Sequence, residues 1–229
     1  MKCKLIIFLL TISNLIFPQI SHNKNKTTLI FKVNVTSLID VTSFPTVQFS
    51  VEKRLSRYFS LSSEVGYQLY TYRYTDTTFL NPEGFKVNIE GRYYLPNSFK
   101  VNSPGLEGIY LGLRPFYSEN QYNAYIPFQT KSDPINWNED DFGVKNITYG
   151  LNIILGLQKS VSNKLIFDFY SGLGIEKRQV ENTDLQYNKD SGDIMGGTDF
   201  MKFLWKFNLS ESSGLWGNIS FGFRIGYKF

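Results

Sequence analysis

Residues able to carry acid–base or nucleophilic chemistry are few in this chain. It holds one histidine, His22, and one cysteine, Cys3. Histidine is the common general base of hydrolases and acyl-transferases, and His22 stands near the N-terminus, away from every other candidate. A His-dependent mechanism is therefore not expected. Glu52, Glu64, Glu90 and Asp168 could pair for carboxylate hydrolysis, but each has an Arg or Lys candidate nearby, so structural ion pairs are the expected role. The run 188–193, NKDSGD, has some features of a calcium loop. Its Gly and Asp are in the wrong order and no Glu follows at the twelfth position, so a solvated loop is expected. Asn34, Asn146, Asn208 and Asn218 begin N-x-S/T sequons, which are read as chance matches. No phosphate-binding glycine loop and no Cys/His metal spacing occurs. The expectation is no enzyme, no cofactor and no metal.

The composition points elsewhere. Of 229 residues, 17 % are aromatic and 19 % charged, a balance that suits a β protein with interfacial aromatics. Lys2 and Lys4 precede an apolar run at 5–17, with Pro18 and Ser21 after it. That is the pattern of a secretory signal peptide over 1–21, too short to span a bilayer as a helix. Its removal would take away Cys3 and two lysines, so the formal charge of +4 falls to +2. Such a balance gives no reason to expect nucleic acid. The remainder, 22–229, reads as one domain.

Eight segments in that domain alternate apolar and polar residues with the period of a half-buried strand. They lie at 29–37, 45–55, 59–74, 84–95, 108–118, 145–159, 164–179 and 218–229. Most are long enough to cross a bilayer as tilted strands. No stretch of 18 apolar residues follows the leader, so a membrane form would have to be a closed barrel. Inner turns fall at 56–58, 96–107 and 160–163. Outer loops fall at 38–44, 75–83, 119–144 and 180–213, the last two being the longest. The stretch 200–209, FMKFLWKFNL, also alternates. It raises a ten-stranded alternative, although it is read here as part of the last outer loop.

One face of these strands gathers Lys32, Arg54, Lys86, Arg92, Arg114, Arg224 and Lys228 against Glu52, Glu64, Glu90, Asp168 and Glu176. Eight glycines share that face. Long charged side chains filling space beside glycine suit the interior of a narrow barrel. Phe85, Tyr117, Tyr149 and Phe221 fall near outer strand ends, and Tyr93, Tyr227 and Phe229 near inner ones, as in the two aromatic girdles of a bilayer protein. The expected fold is thus an all-β, eight-stranded, antiparallel, up-and-down transmembrane barrel. Its lumen would be closed by salt bridges, and Phe223, Ile225, Tyr227 and Phe229 would form a C-terminal signal for the barrel assembly machinery. Expected partners are outer-membrane lipid and lipopolysaccharide, plus an extracellular partner reached through 119–144 and 180–213. A monomer is expected. A small pore, or a soluble lipocalin-like binder with its apolar face inside, is the alternative.

TTLIFKVNVTSLIDVTSFPTVQFSVEKRLSRYFSLSSEVGY at the start, GFKVNIEGRYYL and GIYLGLRPFY in the middle, and ISFGFRIGYKF at the end carry a resemblance. The chain resembles a family of small outer-membrane barrels of unknown function, common in Bacteroidota and distantly similar to OmpA/OmpX-like eight-stranded barrels. The resemblance implies an outer-membrane location in a Gram-negative bacterium and supplies no catalytic residues. No peptidoglycan-binding domain of the OmpA type is expected after Phe229.

Overall fold

The computed structural model describes residues 29–39, 44–68, 80–96, 106–186, 194–195 and 212–229. The expected leader at 1–21, His22, the acidic run 188–193 and the alternating stretch 200–209 lie outside them. The described strands are β1 (Leu29–Asn34), β2 (Val47–Arg54), β3 (Phe59–Tyr67), β4 (Leu80–Tyr94), β5 (Gly108–Thr130), β6 (Asp133–Ser160), β7 (Leu165–Thr183), β8 (Ile194–Met195) and β9 (Ser212–Lys228). All pairings are antiparallel, in the order β4-β3-β2-β1-β9-β7-β6-β5, and β4 pairs with β5 to close the ring. The two-residue β8 pairs with Phe128 and Gln129 high on β5 and is not a stave. Eight staves therefore complete the ring, with β9 meeting β1 from Ile30↔Lys228 to Asn34↔Arg224. The described residues close the ring with eight staves rather than ten, since β9 pairs directly with β1 and β4 with β5.

The register fixes the tilt. Starting at Asn34, Cα partners run through Gln48, Gly66, Lys86, Ser118, Thr148, Arg178 and Gly214. Extending the β9–β1 register carries Gly214 to position 44, so the circuit returns ten residues from its start. That offset is the shear of the barrel, and eight strands with this stagger tilt by about 40° from the axis.

Side-chain direction follows the pleat. Even-numbered residues point inward on every stave and odd-numbered ones outward, so a one-residue slip anywhere would turn the barrel inside out. The outward set includes Phe49, Val65, Ile89, Leu113, Leu151, Ile153, Leu173, Ile175, Ile219 and Phe221, all exposed. On β6 the outward apolar residues run from Leu157 to Ile147 between Lys159 and Lys145. At about 3.3 Å per residue and a tilt near 40°, that band is roughly 25 Å tall. Aromatic rings mark its margins: Phe85 lies 5.7 Å from Tyr117 above, Phe59 lies 4.9 Å from Tyr93 below, and Tyr227 lies 5.0 Å from Phe229 at the chain end. Phe221 pairs with Ser171. It therefore sits within the band, not in the upper girdle as expected.

The expected outer loop at 119–144 is a correction of a different kind. It is not a loop but a continuation of β5 and β6, paired from Glu119↔Ile147 to Thr130↔Asp133. Alternation fades there because the outward residues change to Gln121, Asn123, Glu139 and Asp141, while Tyr122, Ala124, Phe142 and Val144 remain buried on the inward side. At the tip, Asp133 accepts hydrogen bonds from the side chain and backbone of Asn136 and from the Ile135 amide. The Asn136 contact, above the others, holds its carboxyl below the usual range. The expected loop at 180–213 likewise begins as strand, because β7 continues to Thr183.

Candidate functional site

The lumen has three levels, each set by what the inward residues of the eight staves supply. The lowest is apolar. Ile30, Tyr94, Leu106, Tyr110, Ile154 and Ile166 pack into one buried cluster across the inner end. Leu106, from the turn before β5, enters beneath the barrel, and its carbonyl accepts a hydrogen bond from Gln158 Nε2 at 2.6 Å. Tyr110 lies flat over Gly156, its Cα partner, where an added Cβ would stand 2.1 Å from the ring.

Above this floor sits a cluster of four cations and four carboxylates, all buried. Lys32 Nζ lies 2.6 Å from Glu52 Oε2 and 2.7 Å from Asp168 Oδ2. Arg92 reaches Glu90 at 2.7 Å, Asp168 at 3.0 Å and Glu52 at 3.1 Å. Arg114 holds Glu90 at 2.5 Å. Arg224 holds Glu64 at 2.6 Å and Asp168 at 3.3 Å. Uncharged groups complete the shell: the hydroxyls of Tyr110 and Tyr94 donate to Asp168 at 2.8 Å and to Glu52 at 2.7 Å. Ser60 also donates to Glu52, and Asn88 donates to Glu64. Tyr170, lying over Gly222, is sandwiched between the guanidinium carbons of Arg114 at 4.1 Å and Arg224 at 4.0 Å. Four positive and four negative groups cancel, which is the condition under which so many buried charges can be tolerated.

Of the sequence-expected network, Lys32, Glu52, Glu64, Glu90, Arg92, Arg114, Asp168 and Arg224 meet in this cluster. Three others do not. Lys86 instead donates to the Phe44 carbonyl at 2.6 Å and lies over its ring. Glu176 stands higher, bound to Arg178 at 2.9 Å and Asn218 at 2.6 Å. Arg54, at the inner end of β2, leaves its Nε without a hydrogen-bond partner. The reason is height: a stave advances past its neighbours by the shear, so residues on one polar face are spread along the axis. Sequence reading did not single out Tyr94, Tyr110 or Gln158 for this network. Their available signal was a large residue in the polar phase of a strand, with glycine supplied by the neighbouring stave.

The third level is hollow. A cavity of about 660 Å³ is lined by Asn34, Asn88, Asn152, Tyr170, Glu176 and Ser220 among others. Its wall is uneven. β1 leaves the ring after Asn34, and Thr36–Ile39 forms a 3-10 turn. The Val35 amide donates to the Phe223 carbonyl at 2.9 Å, and the Phe223 amide donates to Thr36 Oγ1 at 3.1 Å. Above that point, residues 212–222 of β9 have no strand beside them on the β1 side among the described residues.

At the outer margin the Tyr117 hydroxyl donates to Glu119 at 2.6 Å, and Lys145 lies 3.3 Å away from the same carboxylate. These contacts, the tyrosine first, hold Glu119 below the usual carboxylate range. Among the described residues no group of three or more His, Cys, Asp or Glu side chains is arranged to hold a metal ion.

A closed antiparallel ring with a charge-balanced ionic cluster inside and an apolar exterior defines a β-barrel. The chain belongs to the family described as protein of unknown function DUF3575, whose profile matches residues 6–202. Among solved structures it is similar to the crystal structure of Acinetobacter baumannii CarO, with a TM-score of 0.39 and 10 % identity, covering 88 % of this chain and 96 % of that one. No curated protein matches.

Proposed function

We propose that the protein is a non-enzymatic, integral outer-membrane β-barrel of a Gram-negative bacterium, closed to ions and acting through its wall and its outer surface. The observation that carries this reading is the inversion of the fold. The eight cluster charges are at most 4 % exposed, whereas Ile153, Leu173 and Ile219 are 66 %, 67 % and 70 % exposed. In water that arrangement sacrifices the main driving force of folding; in a bilayer it satisfies both solvents. The saturated carboxylates support a structural role for Glu52, Glu64, Glu90 and Asp168 rather than a hydrolytic one.

In this reading, outer-membrane lipid and lipopolysaccharide contact the odd-numbered band. Phe223, Ile225 and Tyr227 on the outward face of β9, with Phe229 directly after it, are offered to the assembly machinery during insertion. The upper β5–β6 hairpin within 119–144, with the segment 180–213, would meet an extracellular partner, and the barrel acts as a monomer. A lipocalin-like binder fits poorly, because the lumen is ionic where an apolar ligand would sit. A pore is disfavoured by the apolar floor.

The test is mobility on a denaturing gel before and after boiling, using membrane fractions. A heat-dependent shift is expected, with no conductance steps in a planar bilayer. Arg in place of Ile153 then separates the two solvents. On a lipid-facing midplane it costs about 2–4 kcal/mol, whereas on a water-facing surface it would be nearly neutral. An unshifted, soluble protein indifferent to I153R would overturn the proposal.

A further inference from the structure

Charge is not spread evenly along the axis of this barrel. Lys53, Arg54, Arg57, Lys159, Lys164 and Lys228 stand at the inner ends of the staves and in their turns. The adjoining segments 22–28 and 97–105 add Lys24, Lys26 and Lys100. Against these nine bases the inner end holds one acidic side chain, Glu107, which accepts a hydrogen bond from Ser160. Counting a terminal carboxylate at Phe229 as another acid still leaves an excess of seven. The central cluster is neutral, and the rest of 22–229 carries fifteen acids and nine bases. A net charge of only +2 therefore conceals a basic inner rim.

Two pairs of cations flank one face of that rim. Lys53 and Arg57 lie at the β2–β3 turn, Lys159 and Lys164 at the β6–β7 turn; Arg57, Lys159 and Lys164 are exposed. None of the four makes an ion pair among the described residues. Arg57 and Lys164 rest instead on the rings of Tyr58 at 5.3 Å and Tyr227 at 5.5 Å, at the height where lipid head groups lie. Lys53 pairs with Leu29, whose carbonyl accepts from the Phe229 amide at 3.0 Å, and the Lys228 amide donates to the Lys164 carbonyl at 2.8 Å. The two pairs are thus three strand spacings apart, about 14 Å, with Leu29, Tyr227 and Phe229 between them. Above the rim the same staves are aromatic: Phe31 stacks on Phe49 at 5.7 Å, and Phe169 on Phe223 at 4.5 Å. Across the barrel, Leu111, Leu113, Leu151, Ile153 and Leu155 make an exposed aliphatic wall.

We propose that this face binds a cardiolipin-class lipid, a glycerol-bridged pair of phosphodiesters with four acyl chains. One phosphate sits between Lys53 and Arg57, the other between Lys159 and Lys164. The acyl chains lie along the stacked rings of β2, β1, β9 and β7. A single phosphodiester can engage only one of the two cation pairs. An amine-bearing zwitterionic head would bring a further cation to a rim already in excess. The proposal rests on the membrane reading above.

The test is native mass spectrometry of the full chain, released from detergent micelles with added cardiolipin, phosphatidylglycerol or phosphatidylethanolamine. One cardiolipin adduct is expected to persist where the other two lipids are lost. Lys53→Gln with Arg57→Gln, and Lys159→Gln with Lys164→Gln, should each weaken it by about thirtyfold. Lys131→Gln with Lys177→Gln removes the same charge from the outer half and should leave the adduct unchanged. Should a paired variant lose its heat-dependent mobility, the single changes Lys53→Gln and Lys164→Gln decide, at about fivefold each. Equal retention of phosphatidylglycerol, an equal loss in the outer-half variant, or a lipid-free dimer that excludes cardiolipin would overturn the site. A wild-type chain with no heat-dependent mobility would overturn the membrane reading itself.

Discussion

The lower and upper halves of the lumen follow the same alternation of inward and outward residues, yet one is solid and the other hollow. Below, inward positions carry Lys32, Glu52, Arg92, Tyr110 and Asp168, whose long side chains meet at the axis. Above, they carry Asn34, Asn88, Asn152, Ser118 and Ser220, which stop short and leave about 660 Å³. Barrel radius is set by strand number and shear, not by the side chains. Side-chain length and charge complementarity therefore decide where the barrel is a plug and where it is a chamber. The difference gives the inner end a packed plug and the outer end a cavity.

The sharpest break of this contrast is Asp168→Ala. Asp168 touches Lys32, Arg92, Arg224 and Tyr110 at once. Removing it leaves buried cations uncompensated, at about 3–5 kcal/mol, read by urea unfolding in detergent micelles. A loss under about 1 kcal/mol, the size of an exposed pair, would mean that water already reaches the cluster. Tyr110→Phe keeps the ring over Gly156 but deletes the hydrogen bond to a carboxylate, for about 1.5–3 kcal/mol by the same assay. In the upper half, Glu176→Gln keeps an oxygen for Asn218 and removes only the charge paired with Arg178, and should cost about 1 kcal/mol, the upper end for a partly exposed pair. Equal losses at Glu176 and Asp168 would erase the distinction between the halves.

Salt and pH extend it. The buried cluster should be insensitive to ionic strength, whereas the more exposed Lys145–Glu119 contact should be screened. Glu119 is held below its ordinary value of 4.5, so its contribution is complete above that pH and is lost as pH falls through the folded value. Amide exchange at Gln121 and Lys145 is expected to rise on acidification and to stay flat from neutral pH upward. Exchange that rose with alkali instead, after correction for intrinsic rates, would remove Glu119 from the hairpin base.

Much of this barrel can be read without coordinates. Period-2 alternation in VQFSVEKR or LIFDFYSGLGIE assigns each residue to a face, because a strand has only two. The strand count follows, and so does the outward placement of Ile225, Tyr227 and Phe229. The polar faces also contained all eight residues that meet in the central cluster. What alternation could not show was height along the axis. Arg54, Lys86 and Glu176 share a face with the cluster and stand outside it, because the ten-residue stagger around the ring separates residues that look equivalent along their own strands. Nor could it show that 119–144 stays paired: above the apolar band both faces become polar or mixed, and the ladder is held by backbone hydrogen bonds that carry no side-chain signature.

The sequence by itself therefore determined the class of the fold and which side chains turn inward, since both depend on local alternation and composition. Only the tertiary structure decided which of those inward residues touch, where the lumen is filled, and that β1 meets β9 only from Ile30↔Lys228 to Asn34↔Arg224. Those outcomes depend on register and on the unequal lengths of neighbouring staves, which no single strand encodes.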